Sequence, residues 1–407
     1  MKSNFNIKIL LYSFFLYSIS FLISCNEAPT DTGYNLINDT ISVNVVTSDT
    51  TQLIYKTDTK SFSPCVANAN VLFCGKSDNI QAASIIRFAY LPDSLSYLKE
   101  SDIVSAKLTL FPNRYALGDT NNANFSFTLK KVENYWSVNA NWDSISVPGF
   151  MSRDVGIYSG KILLQDTIPA ITIDIDKKLI TEWFQLKTDT LAAVVNWGVA
   201  LIPAQSSNVI YSFGGEGISQ TTDKIPTLQI IYNDSTAHLD TLYLYAGLNA
   251  AFLNSTSNNN DDIVIQGGFD IRTNLYFNIN QIPPFANISK MELDLTLNKE
   301  KSLIGNDTLK TLFRIDFVSD TTKSMYGNYY YYAVKSDSLS DVYSCVSVTS
   351  AAQVWNRFDG KGILQIGAAD FASQYQVLDK LVFYGINDPD PAKRPKVRIV
   401  YTKQSKR

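Results

Sequence analysis

The chain has 407 residues, enough for about two or three ordinary domains, and only 18% are charged while 12% are aromatic. That balance suits half-buried strands and excludes a disordered chain or a coiled coil. A formal charge of −3 gives no basic footprint for nucleic acid, and a single histidine, His238, excludes His-based triads and Cys/His zinc spacing.

In chain order, the first element is a leader. Lys2 and Lys8 precede an apolar run from Ile9 to Ile23, shorter than the roughly 20 residues a membrane-spanning helix needs. It ends in Leu22-Ile23-Ser24-Cys25, which resembles the bacterial lipobox. The resemblance implies that residues 1–24 are a removed signal peptide and that Cys25 becomes a diacylated N-terminus, stably held to a membrane by more than one chain. Asn26 lacks the Asp that retains many lipoproteins in an inner membrane, so an outer-membrane address in the cell envelope is expected. Loss of Lys2 and Lys8 leaves the remainder two units more negative. Residues 25–46, rich in Asn, Asp and Thr, read as a tether. In an oxidising compartment Cys65 and Cys74 can close a small disulfide loop, while the odd number of remaining thiols leaves one unpaired.

From Thr47 onward, short alternations recur between turn-rich segments. Ala106, Leu108 and Leu110, then Ile171, Ile173 and Ile175, then Met291, Leu293, Leu295 and Leu297 each alternate with polar residues. Period two with one polar face means half-buried antiparallel strands, hence an all-β protein. Pro226-Thr-Leu-Gln-Ile-Ile-Tyr232 and Pro395-Lys-Val-Arg-Ile-Val-Tyr401 share one pattern, that of a closing strand whose first residue needs no N–H. Two tandem jelly-roll-like sandwiches with short helical turns follow, over 47–235 and 236–407.

Further anchors align in the same order. Ile85-Ile-Arg87-Phe88 matches Asn274-Leu-Tyr276-Phe277, with Leu91-Pro92 or Ile282-Pro283 after it, and Ser105 to Leu110 matches Lys290 to Leu295. Asp176 and Thr349 are candidate N-caps for short helices that turn Trp183 and Trp355 onto the sheets. Gly198-Val-Ala-Leu201 and Gly362-Ile-Leu-Gln365 begin another strand pair.

With the pair Tyr135-Trp136-Ser137 and Asn141-Trp142, this succession resembles the DNRLRE domain, similar to disaggregatase-related repeats and carbohydrate-binding module family 96. The resemblance covers about 48–233 and, with more departures, 238–402. It implies jelly-roll sandwiches of secreted or surface proteins, some of which bind acidic polysaccharides such as alginate. Val138 stands where the family has an acidic residue after Trp-Ser, the second half lacks the Trp pair, and Tyr276 replaces Arg87, so the copies need not share a ligand.

Sugar recognition needs exposed aromatic faces and planar polar groups. Tyr329 to Tyr332 alternate on a strand, Tyr329 and Tyr331 on one face, and that pair is the candidate platform. Trp136 and Trp197 are candidates at a sandwich edge, whereas Trp142, Trp183 and Trp355 fall at scaffold positions. For an anionic glycan the cations to test are Arg87, Arg114 and Lys107. Asn258 to Asp262 and Asn387 to Asp390 supply oxygens without EF-hand spacing and read as turns, so no metal and no cofactor is assigned. The expected protein is a non-catalytic, lipid-anchored envelope protein with polysaccharide-binding modules. The alternative is an adhesive or structural protein whose sandwiches are spacers or protein-binding platforms.

Overall fold

The computed structural model describes residues 42–62, 65–67, 71–88, 91–137, 140–165, 167–185, 196–215, 224–255, 261–306, 312–318, 330–335, 339–346, 348–369 and 376–403. The leader, Cys25, Tyr329 and Asn258–Asn260 lie outside them. The chain opens with β1 (Ser42–Thr47) and β2 (Ile54–Ser61). There follow β3 (Cys65–Ala67), β4 (Val71–Ser77), β5 (Ile80–Arg87), β6 (Ile103–Leu110), β7 (Pro112–Gly118), β8 (Ser126–Val132), helix α1 (Trp142–Ile145), β9 (Met151–Ser159), β10 (Ile171–Asp174), helix α2 (Lys177–Gln185), β11 (Val199–Pro203), β12 (Val209–Gly214) and β13 (Thr227–Asn233). A second series begins with β14 (Leu239–Tyr245) and β15 (Leu248–Ser255). It continues through β16 (Ile263–Gln266), β17 (Ile271–Asn278), β18 (Asn287–Thr296), β19 (Leu312–Phe317), β20 (Tyr330–Lys335), β21 (Val342–Cys345), helix α3 (Thr349–Arg357), β22 (Lys361–Gly367), β23 (Lys380–Phe383) and β24 (Lys396–Lys403). The fold is all-β and antiparallel, two sandwiches with short helices.

Apart from β3 and β7, which have no counterpart in the second, the two series match in strand order. In the first unit the closing strand β13 lies between β6 and β14, and β5 meets β4, β11 and β15. In the second, the closing strand β24 lies between β18 and β1, and β17 meets β16, β22 and β2. The opening strands of the two series are therefore exchanged: β1 and β2 complete the second unit, and β14 and β15 complete the first. A short hairpin dictates half of this. The Asp234 carboxylate accepts from the backbone N–H groups of Thr236 and His238 at 2.8 and 2.9 Å, and Ala237 takes φ +62°. So tight a turn holds β14 against β13. The division expected at 235/236 thus falls inside a hairpin: 239–255 belong to the first unit, and 42–62, including the end of the expected tether, to the second.

Each unit has its own core. Leu108, Leu110, Leu228, Ile230, Trp183 and Phe213 are buried in the first; Leu293, Leu295, Val397, Ile399, Trp355 and Phe383 occupy the same strands and helices in the second. The closing-strand Tyr232 hydroxyl donates to Asp240 across the hairpin at 3.0 Å, and burial together with that carboxylate pushes its pKa up to about 12. Asp176 caps α2, its Oδ1 accepting from the Lys178 N–H at 3.1 Å. Thr349 does not cap α3. It is the first helical residue, and its hydroxyl accepts from Met291 N–H on β18 at 3.0 Å.

The seam between layers differs. In the second unit β20 pairs with β21, joining both layers into one 11-stranded sheet. In the first, β9 and β10 form no ladder, and two sheets of 9 and 4 strands remain. There the seam is held by Arg153 on β9, which reaches Asp176 and Glu182 at 3.3 and 3.2 Å. A cavity of about 480 Å³ opens beside it, lined by Thr128, Asp154, Gly156, Ile157, Thr172 and Asp174. The units meet on a third apolar cluster including Phe73, Tyr115, Ile210, Phe269 and Leu378. Tyr115 donates to the buried Asp379 at 2.9 Å and accepts from Leu378 N–H at 2.8 Å.

Candidate functional site

Arg87 is the last residue of β5, and strand alternation puts it on the outer face of the sheet with Ala83 and Ile85. Across from it β11 begins at Gly198, which adopts φ +94°; a Cβ there would lie 2.0 Å from the Ile86 carbonyl oxygen. Only glycine permits that approach, and it swings the preceding residue, Trp197, over Arg87. Asn196 fixes the turn by donating to Phe88 O and accepting from Gly198 N–H, both at 2.8 Å. The Arg87 guanidinium carbon sits 5.0 Å from the Trp197 ring centroid.

Trp136 buttresses this arrangement from behind. Its indole N–H donates to the Trp197 carbonyl at 2.9 Å and its ring meets Phe252 edge-on at 6.5 Å. At 8% exposure it is a support rather than the edge platform expected of it. On an extended segment the neighbouring side chain points the other way, so Tyr135 is 66% exposed and stands edge-on to Trp197 at 5.2 Å. The result is a half-buried cation on an indole, flanked by an exposed phenol. No carboxylate pairs with Arg87 among the described residues, and its buried Nε has no hydrogen-bond partner there. An aromatic surface next to a half-exposed guanidinium without a carboxylate partner among the described residues can hold the C–H face of a sugar ring while the cation attracts a carboxylate.

The corresponding place in the second unit is built differently. Tyr276 stands where Arg87 does, with Lys56 Nζ 4.9 Å from its centroid and Tyr55 tilted against it at 6.2 Å. The guanidiniums on that sheet are committed: Arg272 meets Asp270 at 2.6 Å, and Arg314 grips Asp316 through Nε and Nη2 at 2.8 and 2.7 Å while lying 4.0 Å over Tyr330.

Three expected residues, Arg87, Trp136 and Trp197, thus come together, and the others do not. Lys107 is on the opposite sheet, 4.0 Å from Asp174. Arg114 is exposed near the unit junction, where its carbonyl accepts from Asn306 at 2.6 Å. Tyr331 faces inward, packing on the second core with its hydroxyl hydrogen-bonded to Ser350. The outward tyrosines are Tyr330 and Tyr332, 45% and 43% exposed, because the register sets them opposite Asp316 and Arg314 on the polar face. Trp183 and Trp355 are buried and Trp142 is half-buried. The Cys65–Cys74 bridge does not form. Alternation along β4 sends Cys74 into the first core as a free thiol, 3.8 Å from the Leu201 carbonyl, and burial pushes its pKa well up.

Sequence reasoning passed over Tyr135, Tyr330 and Tyr332 as site residues. The signal for Tyr135 was its adjacency to Trp136, since neighbours on an extended strand take opposite faces. Among the described residues no group of three or more His, Cys, Asp or Glu is placed to hold a metal ion, although Asn387 and Asp261, from the two oxygen-rich turns, meet at 3.3 Å. No helix there is long and apolar enough to cross a membrane. A scan against protein-family models and a search of curated proteins return no match.

Proposed function

We propose that this is a non-catalytic, lipid-anchored cell-envelope protein whose first unit binds polysaccharide, with acidic sugars preferred at Arg87. The observation that carries the reading is the Arg87–Trp197–Tyr135 cluster, a cation without a carboxylate partner among the described residues, resting on an aromatic surface. The leader ending at Cys25 supports the envelope address, and the resemblance to DNRLRE domains supports the ligand class. Lone His238 sits in the exposed β13–β14 turn, hydrogen-bonded to Thr236, apart from this cluster.

One observation favours the second reading, a spacer or protein-binding platform. The outer face of the first unit's sheet is largely covered by its own chain, with Trp136, Ile145 and Phe150 packed onto Ala83, Ile85 and Phe252. Affinity electrophoresis through gels containing acidic or neutral polysaccharide separates the two. Retardation of the wild type in an acidic gel, lost in Arg87→Ala and Trp197→Ala with unchanged melting, supports sugar binding. Equal mobility in every gel supports the spacer.

A further inference from the structure

We propose that residues 42–62 are an exchangeable segment through which two copies of this chain pair, each completing the other's second unit. The segment is covalently continuous with the first unit but its ladders run only to the second: β1 to β24 from Ser42↔Lys403 to Thr47↔Arg398, and β2 to β17 from Ile54↔Phe277 to Ser61↔Ile271. Between those ladders the anchoring continues with the same unit. Ser48 N–H donates to Val397 O and Val397 N–H to Ser48 Oγ, both at 2.9 Å, while Asn278 N–H donates to Leu53 O at 2.9 Å. Leu53 and Ile54 lie buried in the second core.

Without the segment, β17 and β24 present open edges and the core has a gap where Leu53 and Ile54 stood. The best occupant of that acceptor is the segment itself, and an identical one is carried by every other copy. These bonds and buried contacts reform unchanged in trans, so exchange costs only the strain on the connection and on the β3–β15 pairing beside it, and the loss of freedom on pairing. The connection runs from residue 62 to β3, whose Cys65–Ala67 pair with Phe252–Ala250 of β15 in the first unit; it reaches about 10 Å while β3 stays paired and up to about 30 Å, to residue 70, once β3 lets go. The equivalent pair β14–β15 has no such freedom, being held by the hairpin at Asp234. Exchange is therefore confined to the N-terminal segment, and reciprocal exchange closes a two-fold dimer. This inference is independent of the ligand reading.

The register supplies the test on the full mature chain. Val45 and Val400 are paired, as are Asn44 and Tyr401. Neighbouring pairs alternate between the two antiparallel geometries, so one of these is the closer, non-hydrogen-bonded kind. Val45→Cys with Val400→Cys, and separately Asn44→Cys with Tyr401→Cys, are refolded at increasing concentration from a mixture of tagged and untagged chains, then oxidised. Exchange predicts covalent dimers that include the tagged–untagged hybrid and increase in proportion to concentration while they are the minor form. Only internally bonded monomer at every concentration overturns the proposal. If neither pair oxidises or folds, light scattering of the wild-type chain refolded over the same range decides: dimer upholds it and monomer alone overturns it.

Discussion

The two units share a strand order, a buried tryptophan on an equivalent helix and an exchanged pair of opening strands, yet the arginines Arg87 in one and Arg272 and Arg314 in the other are used in opposite ways. In the second unit Arg272 and Arg314 are buried against Asp270 and Asp316, where they hold the sheet face together. In the first, Arg87 lies on an indole with no carboxylate partner among the described residues. On the proposed function, a duplicated scaffold carries a binding face in one copy and a structural polar face in the other. The seams differ in the same spirit, with a backbone ladder in the second unit and side-chain ion pairs in the first.

The largest test of this comparison is removal of residues 42–62. Hydrogen exchange should show protection lost across β17, β22 and β24 while β5, β11 and β15 stay protected, because the first unit is complete without the segment. Loss in both units together would mean that they fold as one. Next, Arg314→Ala removes the guanidinium that grips the buried Asp316 carboxylate and should cost about 3–5 kcal/mol in denaturant unfolding. Arg87→Ala, with no ion pair to break, should cost under about 1 kcal/mol while removing binding. Similar costs for both would erase the contrast. Gly362→Ala comes third. A Cβ there would lie 1.8 Å from the Trp355 ring, so the ring must move off Phe277, on which it stacks at 5.1 Å, at about 1–3 kcal/mol in the second unit's transition.

The smallest effect is acid sensitivity of the first seam. Burial by itself would raise the Glu182 pKa, but hydrogen bonds and charge from Lys131 and Arg153 outweigh it and hold the carboxyl below its ordinary value. Stability from a lowered carboxyl is present above the unfolded pKa and fades as pH falls through the folded one. Exchange at β9 and β10 should therefore quicken below the usual carboxylate range before β20 and β21 respond. Equal response at both seams would contradict the assignment.

Much of the scaffold could be read in the sequence because its signals are local. Alternation marked β6, β10 and β18, and the Pro-led patterns marked β13 and β24. Gly198 and Gly362 were visible as strand openers, though their reasons differ: a positive φ and close backbone at Gly198, a tryptophan ring against Gly362. Strand exchange was hidden, because alternation in β1 and β2 fixes which face is buried and leaves the partner open. The turn at Asp234 looked like a boundary for the same reason that it is a hairpin: Asx chemistry serves both. Within the site, residue types pointed to Arg87 and Trp197, but their meeting depends on Gly198 pressing against Ile86, a contact between distant parts of the chain. Tyr331 and Tyr330 exchanged roles because one residue of register decides the face.

The most direct test of the central claim, that a common scaffold carries one binding face, is the stoichiometry of an acidic oligosaccharide titrated calorimetrically into residues 26–407. The account predicts one site per chain, abolished by Arg87→Ala and retained in Tyr276→Ala. Two equivalent sites per chain, or one that survives Arg87→Ala, would contradict it.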